Sequence, residues 1–165
     1  MKVRQQGVVV ALGMIALMGC GVQPTGVIGA GEPASGLTRG IRLYYVSADG
    51  LRGVPVPDKE VKDLNGALKL LGQDPSRAYQ RDGLTSLVRL GGYGATGAGT
   101  RVTVRIDGPY GETGHDLGTG QLVCTLARTQ SVLDPKVRTD DVEVTLRPSE
   151  GAVLGPFRCA EFLNR

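Results

Sequence analysis

Two runs of strict alternation give the chain its clearest structural signal. From Arg101 to Ile106, Val102, Val104 and Ile106 fall on one side and Arg101, Thr103 and Arg105 on the other, the period of a half-buried strand. Val142, Val144 and Leu146 alternate with Glu143, Thr145 and Arg147 in the same way. Both apolar faces are expected in one core. Ile41 to Val46 (IRLYYV) is rich in strand formers, Ala48-Asp49-Gly50 reads as a turn, and Leu51 to Val56 fits the return strand. Pro55 and Pro57 confine that return strand to an edge or an irregular extension. From Asp58, a fair N-cap, the residues Val61, Leu64, Leu68 and Leu71 recur at helical spacing, and Gly72 and Pro75 close the predicted helix.

Elsewhere the pattern is weaker. Leu84 to Leu90 is apolar but too short to assign, and Gly91 to Gly99 is dense enough in glycine to read as a loop. Glu112 to Leu117 is a second extended candidate after the Asp107-Gly108-Pro109 turn. Gln121 to Thr129 admits both periods, since Leu122, Cys124 and Leu126 alternate while Val123, Leu126 and Ala127 fit a helix. Val153 to Phe162 reads as a last strand broken at Gly155-Pro156. The mixture predicts a small α+β domain, with a mixed or antiparallel sheet packed against one or two helices.

The first forty residues follow a different logic. Lys2 and Arg4 precede an uncharged, mostly apolar run, Gly7 to Gly19, which has the length of a signal-peptide core and is shorter than the roughly twenty residues of a spanning helix. It ends in Leu17-Met18-Gly19-Cys20, which resembles the lipobox of bacterial lipoproteins, with Met18 where Ala, Ser or Thr is usual. The resemblance implies cleavage before Cys20, lipidation of its thiol and attachment to the outer face of the cytoplasmic membrane. Burial of the acyl chains contributes about 0.8 kcal/mol per CH₂. An ordinary secretory signal with a chance cysteine is the alternative. Residues 20–40 are rich in Gly, Pro and Thr and read as a tether reaching roughly 25 Å. The expected organisation is therefore signal peptide 1–19, lipidated cysteine and tether 20–40, and one globular domain 41–165.

Charge and composition narrow the function. Removing Lys2 and Arg4 with the signal leaves 17 basic against 16 acidic residues, so no basic excess marks a nucleic-acid reader. Aromatic content of 4% without Trp makes the core aliphatic and offers little stacking surface for sugars or bases. Once lipid takes Cys20, Cys124 and Cys159 remain as an even pair, and export would put them where a disulfide persists. Two buried free thiols are the alternative.

Taken together, Leu43-Tyr44-Tyr45-Val46, Asp49-Gly50-Leu51, Val54-Pro55-Val56-Pro57, Ala67-Leu68-Lys69-Leu70-Leu71-Gly72, Gly83-Leu84-Thr85-Ser86 and Gln121-Leu122-Val123-Cys124-Thr125-Leu126 resemble a GerMN domain. That module occurs in spore-germination proteins and in exported lipoproteins that accompany sensor kinases. The resemblance implies a small α+β fold, helical structure near Gln121 and a noncatalytic role at the envelope.

Candidate chemistry is sparse. Gly92-Tyr93-Gly94-Ala95-Thr96-Gly97 satisfies G-x-G-x-x-G, with Glu112 and Asp116 downstream, but it leads into a strand, whereas a pyrophosphate site needs a helix N-terminus. His115, the single histidine, lies between Glu112 and Asp116 and reads as a surface residue, since metal centres need three or four ligands. Asp140 and Asp141 read as solvated turn residues. No catalytic residue, cofactor or metal is expected. The leading expectation is a membrane-tethered binding or accessory module with an envelope protein partner and no nucleic acid. A cell-wall hydrolase with paired carboxylates is the alternative, and a bilobal transport receptor is disfavoured by size.

Overall fold

The computed structural model describes residues 40–56, 61–89, 91–110 and 114–163. The expected signal peptide, Cys20 and nearly all of the tether lie outside them. Strand β1 (Arg42–Ser47) turns through Ala48 and Asp49 into β2 (Gly50–Pro55), with Leu43 opposite Val54 and Tyr45 opposite Arg52. The pair forms a two-stranded sheet of its own. Helix α1 (Leu64–Leu71) begins later than the spacing suggested. Asp58 lies outside the described residues, and the cap is Asp63, whose Oδ1 accepts the Gly66 N–H at 2.7 Å. Leu64, Ala67, Leu68 and Leu71 form the buried stripe. Helix α2 (Arg77–Arg81), capped by Ser76, has no buried residue and so left no apolar period to read.

The stretch expected as a glycine loop is a strand. β3 (Gly92–Ala98) pairs antiparallel with β4 (Arg101–Pro109), from Gly92 opposite Asp107 to Ala98 opposite Arg101. Gly99, at φ +54°, takes the first central position of the two-residue turn, where glycine suits the strand twist. Neighbours press close on two of the three β3 glycines, Gly92 and Gly97, whereas Gly94 has open space beside it. A Cβ at Gly97 would collide with the Gln130 side chain and meet Leu64 Cδ1 at 2.9 Å. Pairing and close packing have overridden the low strand propensity. The outer edge of β3 is closed by Asn65 of α1, whose Oδ1 accepts the Ala95 N–H at 2.7 Å and whose Nδ2 donates to the Ala95 carbonyl at 3.2 Å. An amide thus occupies the bonding row that an exposed edge would offer to another chain.

Asp116 also corrects an expectation. Glu112 is outside the described residues, but Gly114 to Asp116 form a bend and Leu117 opens a helix, so no strand runs into Leu117. The Asp116 side chain caps helix α3 (Leu117–Leu133) by accepting the Thr119 N–H at 2.8 Å. Helix α3 settles the ambiguous stretch around Gln121. It is buried almost all round, from Gly118 to Ala127 and again at Thr129 and Gln130. It lies against β1, beside α1, and also touches β4, β5 and α4.

After a 3-10 turn at Thr139–Asp141, β5 (Glu143–Glu150) runs parallel to β4, with Val102 opposite Val144 and Val104 opposite Leu146. β6 (Leu154–Phe157) pairs antiparallel with β5 and contains a cis Gly155-Pro156 peptide. The last expected strand stops there, because Ala160–Leu163 is a short helix, α4. The second sheet is therefore mixed, in the order β3-β4-β5-β6. Val102, Val104, Ile106, Val142, Val144 and Leu146 all share the core, as their alternation required. The fold is α+β.

Polar residues inside α3 fasten the surrounding pieces to it. Thr125 Oγ1 accepts the Tyr44 N–H of β1 at 3.0 Å. Gln121 accepts the Leu87 N–H through Oε1 and donates to Ser86 Oγ at 2.9 Å. Gln130 Nε2 donates to the Gly99 carbonyl in the β3–β4 turn at 2.9 Å. No described buried side-chain polar atom lacks a partner, so these groups avoid the desolvation cost of an unmade bond.

Asp116 supplies a pH-dependent anchor. Burial alone would raise its carboxyl pKa, but the Thr119 N–H and hydroxyl outweigh that and hold it below the ordinary value of 3.8. A depressed carboxylate contributes stability that is present above its unfolded pKa and lost as pH falls through the folded one. Asp116→Ala should therefore cost about 1 kcal/mol near neutrality. The gap from wild type in urea unfolding should shrink below pH 3.8, and a gap that stays constant into acid would refute a charged cap.

Candidate functional site

Cys124 on α3 and Cys159 before α4 are brought to disulfide distance, with Cα atoms 4.6 Å apart and both side chains buried. The spacing lies within the range a cystine requires. Cys20 is outside the described residues. The G-x-G-x-x-G match falls in β3, so no helix begins at Gly97 to receive a pyrophosphate. His115 is exposed and sits in the bend before α3, not in a strand. Its ring meets Phe157 edge-on at 5.2 Å and lies near Phe162 at 6.4 Å. Its neighbour Asp116 is engaged in capping. Among the described residues no three His, Cys, Asp or Glu side chains converge as metal ligands. Asp140 and Asp141 are exposed in the 3-10 turn.

Among the grooves on the described surface, two have clearly distinct chemistry, while a third, about 530 Å³, lies between α1, β3 and the end of α3 and is lined by residues that include Lys62, Asp63, Gln130 and Asp134. The first, about 560 Å³, is bounded by Arg42 and Tyr44 of β1, Arg128 and Ser131 of α3, and Val137 to Asp140 in the turn before β5. Strand alternation places Arg42 and Tyr44 on the same face, while α3 presents Arg128 and Ser131 one turn apart. Arg128 Nε donates to the Gly40 carbonyl at 3.2 Å. Ser131 Oγ donates to the Arg128 carbonyl at 3.1 Å and shares a hydrogen bond with Thr139 Oγ1 at 2.8 Å. Burial lowers the pKa of the Arg128 guanidinium; Tyr44 works against this and Arg42 adds to it. The ion pairs between described residues, Arg89–Asp74 and Arg158–Glu143, involve none of these arginines. Sequence reading missed this groove because its arginines come from three distant segments.

The second groove, about 460 Å³, lies between the β1–β2 hairpin and helices α1 and α2, lined mainly by Leu43, Tyr45, Val54, Val56, Leu70 and Tyr79. Burial raises the Tyr45 phenol above its ordinary pKa, and the nearby Tyr79 and Asp74 raise it further. No family model, curated protein or solved structure matches the chain. What its fold and grooves define is a small α+β domain whose described surface includes a basic and an apolar concavity.

Proposed function

We propose that the chain is a noncatalytic, lipid-anchored protein of the cell envelope, held on the outer face of the membrane through Cys20 and serving there as a binding or accessory module for a partner protein. The observation that carries this reading is the buried Cys124 and Cys159 pair at disulfide distance, downstream of the Leu17-Met18-Gly19-Cys20 ending. A disulfide persists in an oxidising compartment, and a lipobox-like ending belongs to a chain bound for one. The GerMN resemblance supports the same reading, since α3 lies where that resemblance expects helical structure.

Replacing Cys20 tests the anchor. Cys20→Ala should leave uncut precursor and abolish incorporation of labelled fatty acid in cells, while the folded domain keeps its unfolding midpoint. Normal labelling of the variant would remove the anchor from the reading.

A further inference from the structure

We propose that the groove formed by Arg42, Arg128 and Arg138 is a binding site for a phosphate-bearing anion. Three arginines line it against one acidic residue, Asp140. In a chain whose charges nearly balance after residue 20, this is a local concentration and not a share of a generally basic surface. None of the three arginines has a carboxylate partner among the described residues. Arg128 is steadied by its Nε bond to Gly40, which leaves its terminal amino groups without a described protein acceptor. A guanidinium fork matches phosphate oxygens two at a time, and phosphate carries enough oxygens for more than one fork. An anion there would also relieve the mutual repulsion of Arg42 and Arg128, which is stronger for a partly buried group than in open water. Tyr44 lines the same wall of the groove.

Two sources share this chemistry: free phosphate compounds and the headgroup of an anionic lipid. The site rests on the reading of the domain as a binding module, but not on acylation of Cys20, so a failure of one is distinguishable from a failure of the other. The test uses the full chain in neutral detergent, titrated with inorganic pyrophosphate and, separately, with the soluble lipid dihexanoyl-phosphatidylglycerol. Heat of binding is the readout, and acetate serves as the non-phosphate control. Arg128→Gln removes the anchored guanidinium and Arg138→Gln an exposed one that should leave folding intact. Arg105→Gln, exposed on β4 and absent from the groove, matches the change in net charge. Wild type and Arg105→Gln should bind equally, and each groove variant should bind roughly tenfold more weakly, as expected for loss of a charge-assisted hydrogen bond. Binding of both ligands identifies the headgroup as a source, and binding of pyrophosphate alone identifies free phosphate. No binding of either ligand, equal binding of acetate, or undiminished binding in folded Arg138→Gln would overturn the site.

Discussion

Val104→Asp is expected to leave the domain without a cooperative unfolding transition. Val104 is fully buried in β4, which has β3 on one side and β5 on the other, so the new carboxylate would have neither water nor a cation. An uncompensated buried charge costs about 3 to 5 kcal/mol, before counting the lost apolar burial. Small domains have only about 5 to 15 kcal/mol in total. Arg105→Ala, one residue further on the exposed face, should shift stability by no more than about 0.5 kcal/mol. Thermal unfolding followed by circular dichroism compares the two. A wild-type midpoint for Val104→Asp would mean that the facing of β4 is wrong.

Reduction of the Cys124–Cys159 pair is expected to have the second largest effect. A bond across a separation of 35 residues restricts the unfolded chain by roughly 3 to 4 kcal/mol in the loop-entropy account. Reducing agent should therefore lower the urea midpoint of the wild type markedly. Cys124→Ala with Cys159→Ala should show no response to it. Reduction is the cleaner arm, since the double variant also removes two buried sulfurs from the core. Two alkylatable thiols in unreduced exported protein, or a midpoint indifferent to reductant, would show that the pair is not bonded.

The legible and illegible parts of the fold differ for physical reasons. β4 and β5 could be read because one face of each is core and the other polar, which imprints a period of two on Arg101 to Ile106 and Val142 to Leu146. β1 and β2 could be read from the turn between them. α3 could not be assigned from its period, because a helix enclosed on nearly all sides has no polar stripe, and its buried Gln121, Thr125 and Gln130 look like surface residues until their partners are known. β3 was hidden by its glycines, of which Gly97 permits the close approach of Gln130 and Leu64. The Cys124 and Cys159 pair followed from counting, whereas the basic groove depends on where β1, α3 and the turn before β5 meet, which no local pattern records.

The parallel pairing of β4 with β5 also bears on how the chain reaches this state. The β1–β2 and β3–β4 hairpins close through two-residue turns and can form early. β5 gains its register with β4 only after the intervening chain, α3 included, has crossed back, so the entropy of a long closure is incurred before the Val102–Val144 and Val104–Leu146 contacts return anything. Docking of β5, and with it the enclosure of α3, is therefore the step expected to be slowest. Until then, β4 presents an unpaired row of amides and carbonyls beside an exposed valine face, which makes the interval between synthesis and docking the time when this domain is most open to aggregation.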